Sequence, residues 1–320
     1  MTAEEPCLLE KGFMFFGLLT AIYVLGKQTL SVLYGLRDHM LSGWWRTDLR
    51  QYGRWAVVTG ATDGIGKAYA RELAKRGLDI VLMSRTLEKL KKVATEIEQD
   101  FGRKTQIIQV DFTRDSHIYQ KIKEELKELE IGILVNNVGM KISEASTVFL
   151  DAPNLDQMLN KTINCNIMSV LWMTRIVLPP MLQRKKGLII NISSGVGRRP
   201  CPKSVVYSSS KAFIDFFSQG LNAEYKSQGI LVQSVMPLFV STDMTFKLKT
   251  NVFVKTPEDY ACEALNTVGF TSRTSGCLSH SLQTFAFDLI PNCIFYAVLN
   301  MKSLEKYADS IMEKYKKQKK

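Results

Sequence analysis

The chain has 320 residues, 46% of them hydrophobic, and 42 Lys+Arg against 31 Asp+Glu give it a net charge of +11. That size suits one large domain with appendages or two small ones, and no Arg-rich, aromatic-interleaved stretch marks a nucleic-acid surface. His39, His117 and His280 sit in no cluster with Cys, Asp or Glu, which argues against a zinc site.

The first element is apolar. Residues 12 to 26, GFMFFGLLTAIYVLG, run 15 residues without a charge; as helix they reach ~22 Å, short of the ~30 Å hydrocarbon core. Continuing through Lys27 to Leu36 gives 25 residues with one charge, and that lysine can reach toward headgroups. A membrane anchor is the favoured reading, with a buried core helix as the plainer alternative. Glu4, Glu5 and Glu10 and the lack of a small-x-small site speak against a cleaved signal peptide. Lys27, Arg37, Arg46, Arg50 and Arg54 come after the segment while only Lys11 precedes it, so the remainder of the chain is expected on the cytoplasmic side.

From Gly53 the pattern alternates. WAVVTG, LDIVLMS, TQIIQVDF, IGILVNNVG, GLIINISSG and ILVQSVMP read as strands, separated by helical stretches such as GIGKAYARELAKRG, TLEKLKKVATEIEQDFG and IYQKIKEELKELE. Apolar strands alternating with helices predict an α/β fold, a Rossmann-like doubly wound parallel sheet in a single domain with ligands at the carboxyl ends of its strands. The expected division is an anchor and linker over 1–52, the sheet domain over 53–275, and an apolar segment with a basic tail over 276–320. In the last part, LIPNCIFYAVLNM (289–301) is either membrane-touching or a buried helix. The final 20 residues hold seven lysines against three acids, a solvated tail or one drawn to anionic lipid. Cys7, Cys165, Cys201, Cys262, Cys277 and Cys293 are scattered without a CxxC and fit reduced, mostly buried thiols.

TGATDGIG (59–66) turns the first strand into the first helix. Gly60, Gly64 and Gly66 permit a tight turn and close approach of backbone to a pyrophosphate at the helix N-terminus. An ATPase phosphate loop fails twice, because Gly60 to Gly66 encloses five residues and Ala68, not Ser or Thr, follows Lys67. The second strand ends in Ser84 and Arg85 where an NAD enzyme would hold an acid, a pairing suited to the 2′-phosphate of NADP(H).

YSSSK (207–211) puts Tyr207 and Lys211 one helical turn apart. A free tyrosine ionises near pH ~10, and an adjacent ammonium favours the phenolate. Ser194, at the end of the strand 13 residues upstream, can point its hydroxyl into the same pocket.

TGATDGIG, NNVG at 136–139, Asn166 in NIMSVLWMT, Ser194 and YSSSK together resemble the short-chain dehydrogenase/reductase family over roughly residues 53 to 245. QYGRWAVVTGATDGIGKAYARELAKRG, SRTLEKL and LEIGILVNNVGM are similar to its 17β-hydroxysteroid dehydrogenase branch, a likeness that runs into the C-terminal third. The resemblance implies that Tyr207 protonates a carbonyl oxygen as hydride arrives from the nicotinamide. Lys211 would lower the tyrosine's pKa and hold the nicotinamide ribose, Ser194 would orient the substrate oxygen beside Tyr207, and Asn166 would support a water linking Lys211 to solvent. It further implies a cofactor held by Gly60, Thr62, Asp63, Gly64, Ile65 and Gly66, by Ser84 and Arg85, and by Gly139. Asp111 would meet adenine, Asn137 the adenosine ribose and Thr242 the carboxamide. Val138 and Leu238 depart from the commoner alanine and glycine without touching the catalytic residues.

Phe239, Met244, Phe246 and Phe253, in a stretch expected to form a lid (239–254), can wall an apolar pocket for a flat substrate. The implied activity is NADPH-dependent reduction of a 17-ketosteroid at the endoplasmic reticulum membrane, with the catalytic domain facing the cytosol. The rivals are a very-long-chain 3-ketoacyl-CoA reductase of fatty-acid elongation and a non-catalytic NADP-binding membrane scaffold. A homodimer is compatible with the sequence, and no nucleic-acid partner is expected.

Overall fold

The computed structural model describes residues 8–141 and 148–299, together with 310, 312, 313 and 315. Helix α1 (Leu8–Met40) carries the apolar start. Its 33 residues make ~50 Å of helix at 1.5 Å per residue, longer than the segment expected from composition. The stretch Leu9–Lys27 is long and apolar enough to cross a membrane and none of it is buried; Phe13, for instance, is 71% exposed. Residues 155–184 pass the same length and composition test, yet 44% of that stretch is buried within the domain.

Seven parallel strands form one sheet in the order β3 (Thr105–Gln109), β2 (Asp79–Ser84), β1 (Trp55–Thr59), β4 (Ile131–Asn136), β5 (Gly187–Ile192), β6 (Ile230–Val235) and β7 (Arg273–Thr274). The six strands expected from the apolar runs are all present. The seventh is two residues long, and its Arg273 spends its charge on Asp215 at 2.9 Å, so no apolar run announces it. Successive residues of a strand face opposite ways. Ala56 and Val58 join the core under α2 (Gly64–Lys75), α3 (Leu87–Phe101) and α8 (Pro257–Asn266), while Val57 joins the core under α4 (Ile118–Leu126) and α6 (Ser169–Arg184). Burial on both faces is why the central strands read as unbroken apolar runs. β3 is an edge strand and stays half-exposed.

Local chemistry sets the helix ends. Asp63 caps α2 by accepting from Gly64 N at 2.7 Å, and Thr256 caps α8 by accepting from Asp259 N at 3.0 Å, with Pro257 in its first turn. Gly102 ends α3 in the left-handed region at φ 61°. Beyond β7, α9 (Leu278–Leu289) returns to the core, where Cys277 and His280 are fully buried and His280 packs 5.4 Å from the Tyr260 ring. Helix α9 also meets α1, with His39 Nε2 and Ser281 Oγ 2.7 Å apart. Helix α10 (Asn292–Leu299) carries most of the 289–301 stretch and exposes Ile294 and Val298; residues 300 and 301, like most of the lysine tail, lie outside the described residues. Of the five described cysteines, all free, only Cys165 and Cys277 are buried, fewer than expected.

Candidate active site

The chain reverses its winding between β1 and β4, and a crevice opens there at the carboxyl ends of the strands. The glycine turn lines it. Gly60 takes φ 67° and Gly64 φ 50°. A Cβ on Gly66 would stand 2.2 Å from the Gly60 oxygen and 2.3 Å from Asn137 Nδ2, so only glycine fits. Asn137 donates Nδ2 to the carbonyls of Thr59 and Gly60 at 2.9 and 3.2 Å, and its own N–H reaches Thr59 Oγ1 at 3.0 Å. Its amide nitrogen therefore braces the glycine turn.

Ser84 ends β2 with its hydroxyl 2.9 Å from Thr62 Oγ1. Arg85 is exposed beside it, and no carboxylate pairs with its guanidinium among the described residues. Asp111 lies opposite, in a cavity of about 370 Å³ shared with Arg85 and Arg114. Burial works against its charge, yet hydrogen bonds from Thr113 N (3.0 Å) and Oγ1 (2.8 Å), helped by Arg85 and Arg114, hold its carboxyl below the ordinary value. Thr242 approaches the turn from the other side, 2.9 Å from where a Gly64 Cβ would lie. A glycine cradle that no Cβ could enter, a helix N-terminus and a free guanidinium one strand away fit a phosphorylated dinucleotide. Ile65, half-buried behind the turn, packs on the core.

At the β5 side, Ser194, Tyr207, Lys211 and Asn166 converge. Tyr207 and Lys211 lie on α7 (Val205–Tyr225), and Lys211 Nζ stands 5.8 Å from the Tyr207 ring centre. Lys211 is only 4% exposed and donates to the Ile192 carbonyl at 2.8 Å. Gly139 leaves the room it needs, since a Cβ there would meet Lys211 Nζ at 3.3 Å. Asn166 sits on a widened π turn (Asn164–Met168) between α5 (Leu155–Ile163) and α6. Its Nδ2 donates to Met140 O (2.9 Å) and Ser210 Oγ (3.0 Å), and its Oδ1 accepts from Met140 N (2.8 Å), so its side chain fixes the loop after β4.

Ser194 caps the short turn Gly195–Arg198. Arg198 pairs with Asp288, while Arg199 donates to Ile290 O at 2.6 Å and lies 5.5 Å over the Phe295 ring. The serine's turn is thereby fastened to the corner between α9 and α10.

The electrostatics differ from the expected pattern. Burial pushes the Tyr207 phenol up to about 12, against a smaller opposing effect of the Ser194 hydroxyl beside it. Burial likewise pulls the Lys211 ammonium down to about 8. Desolvation thus governs both groups, and the depressed tyrosine pKa anticipated from the spacing is not found.

The segment after β6 folds over this site. Tyr207 Oη meets Met244 Sδ at 3.8 Å, and Phe239, Met244 and Phe253 of this segment remain exposed. Phe246 instead turns to the Tyr315 ring at 5.7 Å, and Tyr315 Oη donates to Asp243 Oδ1 at 2.7 Å. Lys141 lies two residues beyond the NNVG motif and has no sequence signature of its own, yet its Nζ lies 5.9 Å from the Tyr207 ring centre. Among the described residues no group of His, Cys, Asp and Glu comes together as a metal site.

Comparison with known proteins agrees with this geometry. The family described as short chain dehydrogenase matches residues 54–252. Human 17-beta-hydroxysteroid dehydrogenase type 3 is 48% identical over 294 residues, 91% of this chain and 92% of that protein. The very-long-chain 3-oxoacyl-CoA reductase of Anas platyrhynchos is 47% identical over 303 residues, 95% of this chain and 96% of that protein. Among solved structures, a short-chain dehydrogenase from Sphingobium yanoikuyae in complex with NADPH is 31% identical with a TM-score of 0.59, covering 66% of this chain and 82% of its own.

Proposed function

The chain belongs to the short-chain dehydrogenase family, and from that premise we propose that it reduces a lipophilic ketone with NADPH, a 17-ketosteroid being the first reading of its substrate. The carrying observation is the convergence of Tyr207, Lys211 and Ser194 beside a glycine cradle whose neighbouring strand ends in the unpaired Arg85. NADPH, when bound, supplies the hydride. Tyr207, held protonated at neutral pH, donates its proton to the ketone oxygen as negative charge builds there. The Lys211 ammonium, still charged at neutral pH, stabilises the phenolate left behind, and Ser194 donates to the same substrate oxygen. Ser84 and Arg85 take the 2′-phosphate and Asp111 the adenine side. The exposed Phe239, Met244 and Phe253 favour an apolar substrate.

Helix α1 anchors the enzyme in the endoplasmic reticulum membrane, with the basic residues that come after it holding the catalytic domain on the cytosolic side. A second reading, reduction of a very-long-chain 3-oxoacyl-CoA, is supported by the equally similar reductase that matches 95% of the chain. Membranes carrying the enzyme are supplied with NADPH and either androstenedione or a 3-oxoacyl-CoA. Turnover of the first supports the steroid reading and turnover of the second alone supports the other. Tyr207→Phe should lower turnover by roughly 10²- to 10⁴-fold while NADPH still binds; undiminished turnover would refute the assignment, and a wild type inert toward every ketone would leave the scaffold reading standing.

A further inference from the structure

A second lysine stands at the mouth of the site. Lys141 is half-buried, and its only hydrogen bond among the described residues is a long one, 3.5 Å to the Met244 carbonyl. Among the described residues no carboxylate pairs with it. An ammonium carries three donors, and a partly desolvated cation without an anionic partner is stable only where oxygen ligands reach it. Burial lowers its pKa, which fits that account. Its place matters more than its pKa. Nζ lies 5.9 Å from the centre of the Tyr207 ring, the same ring that Lys211 approaches at 5.8 Å from within the core.

Met244 connects the two groups. Its sulfur touches the Tyr207 hydroxyl at 3.8 Å while its carbonyl takes Lys141. A ketone reaching the phenol must displace the sulfur, a weak acceptor, and it then lies on the ring that Lys141 also approaches. The ammonium, held by one long bond, has donors to spare for the bound substrate. We infer that Lys141 binds a second oxygen on the substrate, one or two carbons from the ketone, so that the site favours α-hydroxyketones and 3-oxo thioesters over isolated ketones. This rests on the ketone-reductase reading of the site and, between its two substrate readings, weighs for the 3-oxo thioester, since the 17-ketone of androstenedione has no oxygen that near. Lys141 acts as a specificity residue; the proton still comes from Tyr207.

The test uses membrane preparations of the full chain and matched substrates. Progesterone and 21-hydroxyprogesterone differ only in a hydroxyl next to the 20-ketone; 2-pentadecanone and 3-oxopalmitoyl-CoA make the corresponding acyl pair. For the wild type, kcat/KM should be higher for the oxygen-flanked member. Lys141→Met should lower kcat/KM for that member by roughly 10- to 100-fold more than for the isolated ketone, the loss expected when a charge-assisted hydrogen bond disappears. Lys141→Arg, which keeps the cation, should recover part of the preference. A parallel loss on both members, or a rise in the KM for NADPH with the substrate ratio unchanged, would assign Lys141 to the fold or to the cofactor and overturn the inference alone. A wild type that binds NADPH yet reduces none of the four ketones overturns the inference together with the reductase reading.

Discussion

Lys211→Met separates the cost of the site from its use. Lys211 is 4% exposed, and burial brings its pKa from 10.5 to about 8. At 1.36 kcal/mol per pH unit, holding that ammonium in the core at neutral pH costs about 3 kcal/mol. Methionine removes the charge with a similar volume, but it forfeits the bond to the Ile192 carbonyl, worth about 1–2 kcal/mol with the carbonyl left unmatched. The variant should therefore be about 1–2 kcal/mol more stable at pH 7, a rise in Tm on the order of 3–6 °C, while losing turnover. The pH dependence is the sharper reading. Because the folded lysine releases its proton more easily than the unfolded one, the wild type gains stability as pH rises from about 8 toward 10.5 and carries the full penalty below about 8. Tyr207, raised to about 12, titrates in both proteins and cancels in the difference. Melting NADPH-free, detergent-solubilised wild type and variant at pH 7, 9 and 10.5 measures this gap directly. A variant that melts below wild type at pH 7, or a gap that does not narrow with pH, would show that burial does not govern Lys211.

Two further outcomes are expected. Arg85→Glu should raise the KM for NADPH by roughly 10- to 100-fold and shift the NADPH/NADH ratio of kcat/KM toward NADH; an unchanged ratio would remove Arg85 from the 2′-phosphate. Gly66→Ala forces a Cβ to within 2.2 Å of the Gly60 oxygen, which should cost about 1–3 kcal/mol of stability and weaken NADPH binding in a fluorescence titration; normal affinity would mean the turn is not the pyrophosphate cradle.

The parts of this protein that a sequence discloses are those with a local pattern. β-branched runs buried on both faces gave away β1, β2, β4, β5 and β6, and the glycines of the β1–α2 turn announced a backbone that side chains cannot follow. The spacing of Tyr207 and Lys211 and the position of Ser194 likewise pointed to side chains that converge at the cleft. Burial, by contrast, has no signature in YSSSK, and so the sign of the Tyr207 shift came out opposite to the expectation. The bracing of the glycine turn by Asn137 was not legible either, because the direction of its amide depends on carbonyls 77 and 78 residues away. β7 was too short and too polar to register, and Lys141 belongs to no motif; only folding brings it over Tyr207.

The clasp made by Arg198 and Arg199 bears on how this enzyme can be handled. Trimming the greasy C-terminal helices to gain solubility would remove Asp288, Ile290 and Phe295 together and let the loop carrying Ser194 swing loose. A shortened, crystallisable version has to keep residues through 295, and its solubility must then come from exchanging exposed apolar side chains for polar ones instead of from a shorter chain.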